Sequence, residues 1–255
     1  MAKRRPPKRA SLTEQEFLAG YDASAFPHPS LAVDVALITV QAGRLKALLL
    51  QRDQHPAKGK WSLPGTFVRI DESIDAAAGR ALETKTGVSG IFLEQLYTFG
   101  RPSRDPRARV VTVAYYALVD AETLTKQFDE NKQTRLVELQ VPWKGETGGK
   151  VGATDRAGRT LPIAFDHAEI LGTAVGRLRG KLNYADIGFE LLPRTFTLRQ
   201  LQTIHETILG RTVNKDSFRR RLLASGLIAP TGKFEKAVGH RPAELYRFKR
   251  KRKRK

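Results

Sequence analysis

Residues 61–88, WSLPGTFVRIDESIDAAAGRALETKTGV, decide how the chain folds. Trp61, Pro64 and Gly65 mark a loop. Behind it Ile74, Ala77, Ala78, Ala81 and Leu82 recur at helical spacing, with Ser73 placed to cap the helix and Gly87 to end it. Upstream, LAVDVALITV (31–40) and LKALLLQR (45–52) are strand-like, and the glycine of QAGR supplies the turn that makes them a hairpin. Downstream, strands are expected over 91–99, 109–119 and 136–143, followed by a glycine-rich turn region and a helix over about 166–182. That order predicts an α+β domain with a mixed sheet and two principal helices.

A second unit follows. Thr197 is placed to cap LRQLQTIHETIL, in which Leu198, Leu201, Ile204, Ile208 and Leu209 make one apolar stripe that Gly210 closes. In NKDSFRRRLLASG (214–226) Phe218 and Leu222 stand four apart and face inward. Short strands at 227–228 and 245–248 are joined by the polar stretch APTGKFEKAVGHRPAE. Two helices and a two-stranded wing are the winged form of helix-turn-helix. The expected division is a disordered basic arm (1–16), a first domain (17–190), a winged helix (191–248) and a basic tail (249–255).

Charge separates these parts. The net charge of +19 is the sum of +5 over residues 1–13, zero over 14–193 and +14 over 194–255. A basic segment attached to a balanced body is the footprint of a nucleic-acid-binding part joined to a part with another task. The chain has no cysteine and five scattered histidines, which leaves neither disulfides nor metal-ligand spacing. No apolar run approaches the roughly 20 residues that cross a bilayer. The charged start MAKRRPPKRA is followed by no signal core, so a cytoplasmic, nucleoid-associated protein without membrane partners is expected.

The loop and helix carry the most specific motif. Aligned on Glu72, Arg80, Leu82, Gly87 and Val88, they resemble the Nudix signature G-x5-E-x7-R-E-U-x-E-E-x-G-U without a gap, U being a bulky apolar residue. Four positions depart from it: Thr66 replaces the first glycine, Ala81 the glutamate after the arginine, and Thr84 and Lys85 the paired glutamates. Nudix enzymes use those carboxylates to hold divalent cations against a pyrophosphate, since hard oxygen ligands suit magnesium. Alanine and threonine supply no such charge. A lysine repels the metal by roughly 4 kcal/mol at about 4 Å in an effective dielectric of about 20. Glu83 points about 100° away around the helix and cannot substitute. No catalytic residue, metal site or cofactor is therefore expected.

A pocket without catalysis remains. The loop 65–69 enters a helix N-terminus, which favours anions, and FGRPSRDPRARVV adds guanidinium groups suited to phosphate. Phe67, Arg69, Glu72, Arg104, Asp105 and Arg107 are the candidate effector contacts. For DNA, Lys215, Ser217, Arg219 and Arg220 lie on the outer face of the second helix, with Arg219 or Arg220 placed for base contact. Thr231, Lys233, Lys236 and Arg241 belong to the wing, with Thr231 and Gly232 expected at its tip.

The segments YDASAFPHPSLAVDVALI, SRDPRARVVTVAYYAL, LPIAFDHAEIL, SFRRRLLASGLI and GHRPAELYRF, taken with both motifs, resemble NrtR, the Nudix-related transcriptional regulators of NAD metabolism, over about residues 17–248. The resemblance implies a homodimer that represses genes of NAD synthesis or salvage from a palindromic operator. It also implies release of DNA when ADP-ribose or a related nucleotide occupies the Nudix pocket. Two other classes share these features: an active hydrolase of ADP-ribose-like nucleotides, and an RNA-binding protein using the same basic ends.

Overall fold

The computed structural model describes residues 13–128, 133–182, 186–236, 239 and 241–249. A short helix α1 (Glu14–Ala19) opens it, closed by a capping box between Thr13 and Glu16. This corrects the expectation of disorder through residue 16: a Thr at the cap with Glu three residues on satisfies free amides at a helix start, even where nothing is buried. Residues 1–12 and 250–255 lie outside the described residues.

The predicted hairpin is β1 (Ser30–Gln41) and β2 (Arg44–Gln51), with Ala42 and Gly43 both at positive φ, the geometry whose twist suits a two-residue connection. Around it are β3 (Trp61–Ser62), β4 (Gly65–Phe67), β5 (Glu94–Phe99), β6 (Val110–Leu118), β7 (Thr134–Gln140) and β8 (Gly152–Thr154). The sheet order is β5-β6-β1-β2-β7-β8, with β3 on β2 and β4 on β1. β1 runs parallel to β6 and antiparallel to β2, so the sheet is mixed, as the sequence predicts.

Helices cover both faces. Val33, Val35 and Leu37 turn towards α2 (Ile74–Thr86), whereas Ala36 and Ile38 turn to the cluster around α4 (His167–Lys181). Burial on both faces explains why β1 is apolar throughout instead of alternating. The short α3 (Ala121–Gln127), capped by Asp120, joins β6 to β7 and has no counterpart in the sequence reading. α4 packs against the glycine-rich turn so closely that a Cβ on Gly172 would come within 1.7 Å of the Gly149 carbonyl oxygen.

The basic unit has α5 (Leu198–Leu209), α6 (Lys215–Ala224), β9 (Ile228–Phe234) and β10 (Glu244–Phe248). Thr197 and Gln200 form a capping box on α5, and Asn214 caps α6. Phe196 bonds both ways with Tyr246, an isolated bridge that ties the chain before α5 to the two-stranded wing. Its core is not separate: Leu201, Ile204, Ile208 and Phe218 belong to one apolar cluster with Leu171, Leu178 and Ile38. Among the described residues no helix is long and apolar enough to cross a membrane.

Candidate functional site

A cleft of about 470 Å³ opens between β1, the β4 loop and the 104–107 segment, lined among others by Asp34, Arg52, Phe67, Lys85, Arg107 and His167. Gly65 is obligatory there, because a Cβ would fall 2.3 Å from Asp34 Oδ1 and 2.8 Å from the Val33 carbonyl oxygen. Beneath the cleft is a buried charge network. Arg104 donates from Nε and an Nη to Asp166 at 2.9 and 2.8 Å, and to Asp34 at 3.3 Å. Burial opposes its charge, yet the two carboxylates hold the guanidinium above its ordinary pKa. His167 Nδ1 accepts from the Leu63 amide at 2.9 Å, which directs Nε2 towards Asp34 at 3.6 Å. Burial pushes that imidazole below its ordinary pKa and keeps it neutral.

Of the six residues proposed for the effector, four line the cleft: Phe67, Arg104, Asp105 and Arg107. Arg69 and Glu72 do not. Glu72 receives a guanidinium fork from Arg80, whose hydrogen bonds lower its carboxyl to a pKa of about 2. Arg80 also bonds the Phe67 carbonyl at 3.0 Å, so the pair pins the loop to the helix. Arg69 is exposed, and its amide donates to Glu72 at 2.8 Å. Arg104 and Asp105 are buried and engaged by protein partners, Asp105 with Arg107 at 2.7 Å, so they shape the wall more than they offer a free charge. Arg107 stacks its guanidinium 5.5 Å from the Phe67 ring centroid, leaving an exposed aromatic and a cation side by side.

The sequence reading missed several lining residues. Arg52 lies 4.9 Å from the centroid of Phe165, and Asp34 and His167 meet across more than a hundred residues of chain. Only Asp34 gave a signal, as a charge inside an otherwise apolar strand.

On α6, Lys215, Ser217, Arg219 and Arg220 are all exposed and Phe218 is buried, so the predicted face stands clear of the core. Lys233, Lys236 and Arg241 are exposed in the wing. Thr231 and Gly232 are not its tip. β9 continues to Phe234, and the Thr231 hydroxyl donates to the Leu245 carbonyl at 2.8 Å, fixing strand pairing. Pro230 and Gly232, residues that ordinarily weaken a strand, hid this one.

A Nudix fold whose last helix packs into a winged helix with a solvent-facing basic helix defines a two-domain regulator. Residues 28–150 match the NUDIX domain, and residues 188–248 match the NrtR DNA-binding winged helix domain. The chain is 39% identical over 238 residues to the "ADPR responsive transcriptional repressor NtrR" of Acinetobacter baylyi, covering 92% of this chain and 88% of that protein. The crystal structure of Shewanella oneidensis NrtR complexed with a 27mer DNA superimposes with a TM-score of 0.70 at 34% identity, covering 86% of this chain and 93% of that one. An "ADP-ribose pyrophosphatase" of Methanocaldococcus jannaschii is 29% identical over 145 residues, covering 56% of this chain and 72% of its own length. The chain belongs to the NrtR family.

Proposed function

We propose that this protein is a transcriptional repressor that senses ADP-ribose, or a closely related nucleotide, in the cleft and responds by leaving its operator. The carrying observation is that α4, which lines the cleft, and the helices of the winged unit share one apolar core. Arg179 of α4, buried, donates to the Ile208 carbonyl at the end of α5 at 2.7 Å and to the Trp143 and Gly145 carbonyls at 3.0 and 2.9 Å. Its guanidinium also lies 4.6 Å from the Trp143 ring centroid. A shift of α4 therefore moves α5, and α6 with it.

A ligand biases such a system only through unequal affinity for its arrangements. Binding in the cleft would favour a dimer geometry whose two α6 helices no longer match half-sites about 34 Å apart. The protein would act as a homodimer on a palindromic operator, within the cytoplasm and on the nucleoid, controlling NAD synthesis or salvage. The exposed aromatic side chains of Phe17, Tyr21 and Phe26, with centroids 5.6 and 6.3 Å apart in succession, are a surface of the kind a second copy covers.

The reading excludes hydrolysis. Ala81 is fully buried against the sheet, Thr84 donates to its own helix at 2.7 Å, and Glu72 is held by Arg80, so this donor set does not fit the divalent cation of Nudix catalysis. An operator-shift titration with ADP-ribose and NAD tests the sensor: release by a nucleotide is expected, and retention with every one refutes it. Magnesium-dependent turnover of ADP-ribose would instead identify a hydrolase, and preference for RNA over a symmetric duplex would identify an RNA-binding protein.

A further inference from the structure

The cleft is lined by the helix on which Nudix enzymes carry their metal-holding carboxylates, yet this helix offers a cation in place of acids. Lys85 stands in the last turn of α2, four residues after the buried Ala81 and on the same side, and it lines the cleft. Two of the other cleft cations are paired with carboxylates, Arg104 with Asp34 and Asp166 and Arg107 with Asp105, and Arg52 is held by its Nε on the Pro56 carbonyl at 2.8 Å and over the Phe165 ring. Lys85 is exposed and forms no hydrogen bond or ion pair among the described residues.

We infer that the Lys85 ammonium takes the place of the divalent cation, binding the diphosphate of the effector directly and making recognition independent of metal. The inference rests on the nucleotide-sensing reading above and adds the group that neutralises the ligand. An ammonium brings three donors and a compact charge to phosphate oxygens. It cannot polarise and deliver a water as a metal-bound site does, so the ligand is held without being cut. The exposed Phe67 ring beside Arg107 lies at the same cleft and suits the flat, apolar end of a nucleotide, with Lys85 serving its charged middle.

Isothermal titration of the full chain with ADP-ribose, and with inorganic pyrophosphate as the minimal probe, tests this in EDTA and again in magnesium. Wild-type affinity should be the same in both buffers. Lys85→Gln should weaken both ligands roughly tenfold to a hundredfold, the range for losing a charged hydrogen-bond partner, and Lys85→Arg should retain most of the affinity. Because Lys85 is exposed, both variants should melt with the wild type, and Lys85→Glu offers a charge-reversed check expected to bind more weakly than Lys85→Gln in EDTA. Wild-type binding that needs magnesium, or Lys85→Gln binding as tightly as wild type, overturns the inference while leaving the sensor reading intact. Absence of wild-type binding to both ligands also overturns the inference, and the sensor reading falls with it only if NAD fails to bind as well.

Discussion

In the cleft wall Arg104 is buried with its fork on Asp166 and a further bond to Asp34, while on α6 Arg219 and Arg220 stand in solvent. Arg80 clamps the loop through Glu72, and Arg179 braces the junction through three backbone carbonyls. In the electrically balanced body these charges answer one another. In the basic winged helix Lys215, Arg219, Arg220, Lys233 and Lys236 face outward, where phosphate can answer them. Counting guanidinium groups does not separate these uses; burial and partners do.

The largest expected effect breaks the buried half of this contrast. Arg104→Leu would leave Asp34 and Asp166 buried without their cation, and thermal unfolding should show a loss of about 3–5 kcal/mol. A loss below about 1 kcal/mol would mean that the network is not a strut.

A smaller effect concerns His205 in α5, which packs edge-on against Phe218 at 5.0 Å. Burial, with Arg221 nearby, lowers its pKa from 6.5 to about 4. The unfolded chain takes up a proton below about pH 6.5 and the folded one only below about 4, so stability is full above the first value and declines as pH falls between them. The loss should be about 3 kcal/mol. His205→Leu should flatten that part of the stability profile, and an unchanged slope would assign it to other groups.

The exposed half is probed on DNA. Arg219→Ala or Arg220→Ala should cost about 1–3 kcal/mol of operator affinity at the residue that reads a base, with relaxed sequence preference, and leave the melting temperature nearly unchanged. Destabilisation comparable to Arg104→Leu would erase the distinction between the two regions. Smallest of all, deleting the seven basic residues 249–255 should flatten the salt dependence of binding, by about 0.9 in log–log slope for each phosphate that the tail neutralises, without altering sequence preference. A changed preference would give the tail a part in base readout.

Local chemistry made much of this legible. The hairpin, the helix from Ser73 to Gly87, the apolar stripe of α5 and the inward Phe218 follow from turn residues, caps and periodicity, which act over a few residues. The short β3, β4 and β8 left little trace, since two or three residues show no period and pair only because distant strands are already in place.

Acting alone, the sequence determined the two-part order, the separation of charge and the exchange of Nudix carboxylates for Ala81, Thr84 and Lys85. These are properties of composition and spacing, and folding does not alter them. Tertiary structure decided which charges are spent: Glu72 on Arg80, Arg104 on Asp34 and Asp166, and Lys85 left open to the cleft. The Arg104 pairing with Asp34 joins residues 70 positions apart, and only the parallel pairing of β1 with β6, which sets the loop before β6 beside β1, brings these groups within hydrogen-bonding reach.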